Sequence, residues 1–201
     1  MMGKLTGTLL TAATVLLTGA ALAQQGGEQP QMTPEQKAVM EAYQKAGTPG
    51  EPHKTLAASA GNYSIKTKSW EAPGGPAMEE TGTATRTMTL DGRVLVEDVS
   101  STMMGTPFVG HAMTGYDNVS GKYWSTWNDS MSTGLMVSHG SCDAKNNCTF
   151  TGTWNDAVKK APVKSRMTTR WTSPTTEIFE MYGPAKDGKE FKMMEITYTK
   201  N

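Results

Sequence analysis

Residues 108–142 read FVGHAMTGYDNVSGKYWSTWNDSMSTGLMVSHGSC. Three runs, Phe108 to Tyr116, Lys122 to Asp129 and Gly134 to Cys142, are separated by Asp117 to Gly121 and by Ser130 to Thr133. The runs are rich in aromatic and β-branched residues, and the separators consist of turn formers. That grammar predicts three antiparallel strands joined by two short turns. The middle run has the clearest face. Side chains two apart point the same way in a strand, so Tyr123, Trp127 and Asp129 lie together.

The same rhythm extends in both directions. Upstream, Asn62 to Trp70, Met78 to Leu90 and Arg93 to Met103 read as strands; Asp91-Gly92 is expected to be a two-residue hairpin turn. Downstream come Thr149 to Asp156, Val163 to Thr172, Thr175 to Tyr182 and Glu190 to Lys200. No link is long enough for a parallel crossover, so the sheet should be antiparallel and up-and-down. About ten strands in an open sheet would leave exposed edges, and closure removes them. The expected fold is therefore all-β, an antiparallel barrel of about ten strands. A sandwich is less consistent with hairpin links this regular. Val163, Met167 and Trp171 should share one face, opposite Lys164, Arg166 and Arg170. In the last strand, alternation puts Phe191 and Met193 on one side and Met194, Ile196 and Tyr198 on the other.

The N-terminal part follows other rules. Lys4, the apolar run Leu5 to Leu17 and Ala21-Leu22-Ala23 describe a bacterial secretory signal peptide over residues 1–23, cleaved after Ala23. The expected location is periplasmic or secreted, with no stable membrane anchor. Residues 24–60 form a polar lead and short helices: Thr33-Pro34-Glu35-Gln36 is a helix start, Gly47 a stop, and His53 to Ala60 a second short helix. Residues 61–201 form the barrel. Cys142 and Cys148 are the two cysteines of the chain, flanking a polar loop. In an oxidising compartment they should pair across a hairpin.

Several function classes find no support. Lys+Arg and Asp+Glu are both 19, so no basic excess points to nucleic acid. No G-x-S-x-G, H-E-x-x-H or phosphate-binding glycine loop occurs, so no catalytic residue is assigned and no cofactor is expected. His111 and Met113 share a face and have donors suited to Cu(I), but methionine is also a common filler of irregular interiors, and no metal site is assigned.

The order of several short motifs carries a resemblance. His53-Lys54-Thr55-Leu56 followed by Gly61-Asn62-Tyr63 resembles the HxxL…GxW opening of the bacterial family catalogued as domain of unknown function 1579. Leu90-Asp91-Gly92-Arg93 resembles that family's LGGR turn. Phe108-Val109-Gly110, Gly115-Tyr116-Asp117, Lys122-Tyr123, Trp127-Asn128-Asp129-Ser130 and Met194-Glu195-Ile196-Thr197-Tyr198 follow in order. Tyr63 replaces Trp, and Asp91 replaces Gly. The resemblance implies a lipocalin-like or calycin-like barrel and supplies no catalytic residues.

The candidate ligand-binding wall is accordingly placed on the central three strands. Phe108 and Tyr116 share a face on the first, Tyr123, Trp127 and Asp129 on the second, and Leu135, Val137 and His139 on the third. If these faces match, a small lipophilic or amphipathic ligand meets an aromatic wall with Asp129 and His139 as polar points. The alternative is a barrel filled by its own methionines and aromatics, serving a structural or protein-interaction role.

Overall fold

The computed structural model describes residues 31–201, so the expected signal peptide lies outside the described residues. Contacts divide the chain into two units, residues 1–41 and 42–201. Helix α1 (Pro34–Gly47) runs across that division and buries none of its residues. The expected capping box is present, with the Gln36 amide donating to Thr33 Oγ1 (3.2 Å) and the Thr33 amide to Gln36 Oε1 (2.8 Å).

Ten strands form the second unit: β1 (Gly61–Ser69), β2 (Met78–Thr89), β3 (Val94–Met103), β4 (Thr106–Asp117), β5 (Lys122–Asp129), β6 (Met136–Cys142), β7 (Cys148–Asp156), β8 (Ala161–Ser173), β9 (Thr176–Pro184) and β10 (Glu190–Lys200). Each pairs antiparallel with its sequence neighbours, and β1 also pairs with β10, closing the barrel. Alternation decides the two faces. Tyr63, Ile65, Ala84, Val99, Val163, Met167 and Tyr198 are buried inside. Lys66, Lys68, Thr83, Thr85, Thr151, Thr153, Lys164 and Arg170 are exposed outside. This polar-out, apolar-in pattern is the reverse of a lipid-facing barrel. Among the described residues no helix is long and apolar enough to cross a membrane.

Two local expectations are corrected. The Asp91-Gly92 turn is longer than two residues: the last pair is Thr89 with Val94, and Leu90, Asp91 and Gly92 all take positive φ. The Gly92 and Arg93 amides both donate to the Thr89 carbonyl, a tight coil that a two-residue turn would not accommodate. In β10, a bulge between Lys192 and Met194 interrupts alternation. Phe191 faces Gly183 and Met194 faces Met181, so both sets of apolar side chains turn to the inner face.

Helix α2 (Glu51–Ala58) lies at one end of the barrel, packed against β2, β3 and β4. Its two buried residues are His53 and Leu56, the fixed positions of the HxxL motif. Leu56 packs with Leu95 and Tyr123. His53 Nδ1 accepts the Gly50 amide (3.0 Å), and its ring meets Tyr116 edge-on at 5.9 Å. Asn118, in the β4–β5 turn, donates to the carbonyls of Ala46 (3.0 Å) and Thr48 (2.8 Å), fixing the segment that leads into α2.

Beside this helix lies a buried charge cluster. Arg86, with 9% of its side chain exposed, pairs with Glu97 and with Glu177 (2.5 Å). Its guanidinium sits over the rings of Tyr63 (4.8 Å) and Tyr198 (4.4 Å). Tyr198 donates to Glu97 (3.1 Å), and Tyr63 to the Ser59 carbonyl (2.6 Å). Burial opposes the charge on Arg86, but its two carboxylate partners outweigh burial and raise its pKa further. Burial raises the Glu177 pKa, which Arg86 pulls back only in part.

The pH consequence has a definite sign. A carboxyl whose folded pKa is raised stabilises the fold below the ordinary carboxylate range and loses that contribution as pH rises through the folded value. Arg86→Met leaves two buried carboxylates without their cation. It should cost about 3–5 kcal/mol near neutral pH, with part of the loss regained toward about pH 4, where carboxyls protonate. Glu177→Gln should cost less, because Glu97 still balances Arg86. Urea unfolding at the two pH values checks both; an acid-insensitive deficit in Arg86→Met would show that carboxylate repulsion is not its cause.

The cysteines are paired. Cys142 and Cys148 face each other across β6 and β7 with a Cα–Cα distance of 3.9 Å. Replacing both with Ser should cost about 2 kcal/mol in the chain-entropy account of a short loop. Chemical unfolding of the double variant gives that value, and the unreduced native protein should take up no thiol-alkylating reagent.

Candidate functional site

The register decides which expected wall residues meet. Tyr116 pairs with Tyr123, Ala112 with Trp127 and Gly110 with Asp129; Phe108 lies two further along the face of Gly110. Phe108, Tyr116, Tyr123, Trp127 and Asp129 therefore all point inward. His139 does not. Across β5 and β6, Tyr123 pairs with Gly140 and Trp127 with Met136, which leaves His139 opposite Trp124 on the outer face, exposed. Val137 and Leu135 are exposed as well. The β5–β6 turn is one residue out of step with the assumed matching, and a one-residue slip exchanges the faces.

The five inward residues form two groups. Tyr116 and Tyr123 meet edge-on at 4.9 Å beneath α2, and Tyr123 is buried against Leu56 and Leu95. They pack with α2. Phe108, Trp127 and Asp129 lie toward the opposite end and remain half-buried.

The second group is a fixed platform. Trp127 stacks on Phe108 with centroids 6.4 Å apart and an interplanar angle of 22°. Its Nε1 donates to Asp129 Oδ2 (2.8 Å), while Asp129 Oδ1 accepts the Met131 amide (2.9 Å). Asp129 is thus occupied in orienting the indole and is not a free polar point. The ring lies across Gly110, where any Cβ would overlap it.

The wall continues past the residues chosen from sequence. Trp127 pairs with Met136, and Trp154 pairs with Val163. Val137 pairs with Thr153, so Met136 and Trp154 occupy the next position along that ladder. Trp127, Met136, Trp154 and Val163 thus form one inward row across β5 to β8. Trp154 Nε1 donates to Ser165 Oγ (3.0 Å), which fixes its ring. Simple alternation identifies this row once the β6 register is known; the β5–β6 turn obscured it.

The row ends at Val163, beside a gap in the β8–β9 ladder. The β8–β9 ladder begins at Arg166 with Tyr182, while β8 reaches back to Ala161 on its β7 side and β9 reaches on to Pro184 on its β10 side. Continuing the register would set Pro184 opposite Lys164, and proline has no N–H to donate. A cleft of about 560 Å³ occupies this seam, reaching the inward-facing Val163, Ser165 and Gly183 and the outward-facing Lys164 and Arg166.

His111 and Met113 share the outer face, but His111 Nδ1 is engaged by Asp98 (2.8 Å). Among the described residues, no three His, Cys, Asp or Glu side chains cluster as a metal site would need.

The Gly110 contact gives a direct test. Gly110→Ala should displace the Trp127 indole from Asp129, shift tryptophan emission and destabilise the barrel by about 1–3 kcal/mol through overpacking. Emission spectra and urea unfolding measure the two effects. A wild-type spectrum would mean that the ring does not rest on Gly110.

A redesigned β-barrel of known structure is similar at 12% identity and a TM-score of 0.37, covering 73% of this chain and 94% of that one. No curated protein matches the chain. The family described as "Protein of unknown function (DUF1579)" matches residues 48–200, from the turn before α2 to the end of β10. Helix α2 with its buried His53 and Leu56, and the ten-strand barrel behind it, are therefore those of a member of the DUF1579 family, to which this chain belongs.

Proposed function

We propose that the barrel binds a small apolar or amphipathic ligand along its inner wall and acts in an exported location. The observation that carries this reading is the inward row Trp127, Met136, Trp154 and Val163. It begins at the Phe108–Trp127 stack and ends at the 560 Å³ cleft. Three of its four members are only half-buried, although all face the interior. Ligand sites commonly have such apolar and aromatic linings; here Asp129 and Ser165 hold the two indoles of the row in place. The disulfide and the sequence of residues 1–23 support export.

A second reading is favoured by the half of the interior next to α2. There Tyr63, Tyr198, Tyr123 and the Arg86 cluster fill the space with the protein's own side chains. A barrel filled in this way throughout would be a structural or protein-interaction module.

Titration with the uncharged dye N-phenyl-1-naphthylamine separates the two. Binding should raise dye emission and quench tryptophan. Trp127→Phe and Trp154→Phe should each remove a substantial part of the quenching, whereas Trp124→Phe, on the outer face, should remove little. Failure of the dye, long-chain acids, isoprenoids and haem to bind would favour the filled barrel. Unchanged quenching in the Trp127 and Trp154 variants would move the site elsewhere.

A further inference from the structure

We infer that the seam between β8 and β9 selects a ligand with an apolar chain and an anionic head, the head being held outside by Lys159 and Lys164. This deepens the binding reading above and rests on it. Along the seam the cleft is floored by Val163, Ser165 and Gly183, which are buried and turn toward the interior, and rimmed on the outer face by Lys159, Lys164 and Arg166. The chain of a ligand lying in the cleft would rest over Val163, the last member of the Trp127–Val163 row.

The charge at the rim is unbalanced. Four charged residues line the cleft: Lys159, Lys164, Arg166 and Glu190. Arg166 and Glu190 neutralise each other through a fork, with Nε to Oε1 at 3.1 Å and Nη2 to Oε2 at 2.7 Å. The Arg166 guanidinium also lies 3.9 Å from the centre of the Tyr182 ring, so it is held in place. Lys159 and Lys164 make no ion pair among the described residues and are exposed. Two free ammonium groups therefore flank an apolar entrance, a pairing of chemistries that suits a carboxylate or phosphate on an alkyl chain.

The ladder itself supports a ligand at this position. Residues 161–165 of β8 have no strand partner on their β9 side. Backbone groups on that side, which have no β9 partner, add polar partners beside the lysines. Pro162 and Lys164 are also the residue types that keep a free strand edge from recruiting another strand, which leaves the opening available to a small molecule.

The test compares heads on one chain length, below the micellar range, by isothermal calorimetry on the full-length protein. Dodecanoate and dodecyl phosphate are the anionic arms, and monolaurin is the neutral one. The wild type should bind an anionic arm about fivefold more tightly than monolaurin, the sum expected from two exposed charge contacts, and the margin should shrink as salt is added. The better anionic arm distinguishes carboxylate from phosphate. Lys159→Gln/Lys164→Gln should abolish the preference for an anionic head over monolaurin, whereas Lys66→Gln/Lys122→Gln, an equal charge change elsewhere, should keep it. Circular dichroism confirms that each variant is folded. Equal affinity for all three heads would overturn the anion selectivity and leave the binding reading standing. A preference that survives in Lys159→Gln/Lys164→Gln would place the head elsewhere and overturn the seam. No binding in any arm would overturn both.

Discussion

Strand β1 is hydrogen-bonded to β2 on one side and to β10 on the other, and this double pairing constrains the rest of the molecule. Closure removes both edges of the sheet and fixes which side of every strand is interior. Tyr63, on β1, is fully buried as a result. The Gly61 position beside it takes φ +146°, and a Cβ there would run into the Lys200 side chain. The first turn of the barrel can therefore be tight only because that residue is glycine.

Once the interior is enclosed, its two halves diverge. Near α2, buried space is used by tyrosines and by ions that balance one another around Arg86. A buried ion cluster of this kind costs desolvation that its own pairing only partly returns; through it Arg86 links β2 to Glu97 on β3 and Glu177 on β9, and Glu97 accepts from Tyr198 on β10. Away from α2, the indole N–H groups are each fixed by one partner, Trp127 by Asp129 and Trp154 by Ser165. Trp127 also packs on Phe108 and the neighbouring core, and both indoles remain only half-buried.

Much of the barrel was legible because β-strand alternation is a short-range property. Every strand expected from the sequence exists, with ends shifted by at most a few residues. Register was less accessible. His139 was grouped with Trp127 because nothing local reveals how many residues the Ser130–Leu135 link consumes, and the error moved the whole β6 face from outside to inside. The β10 bulge was hidden for the same reason: one extra residue changes the face without changing composition. Arg86 was passed over because a lone arginine in a Thr-rich strand reads as solvent-facing. Only the fold brings Glu97 and Glu177 to it, 11 and 91 residues away in the chain.

The β1–β10 seam also bears on how the chain folds. Ser64 and Asn201, which hydrogen-bond beside that seam, are 137 residues apart in sequence. Hairpins between neighbouring strands can form with little loop entropy, whereas this last pairing must bring together the most distant parts of the barrel. Before it forms, the meander has two open flanks, β1 and β10, each able to pair with another molecule. The closing step thus couples high contact order to a transient risk of association. The exposed Lys66 and Lys68 on β1, and the half-buried, outward-facing Lys192 and Glu195 on β10, discourage strand addition during that interval.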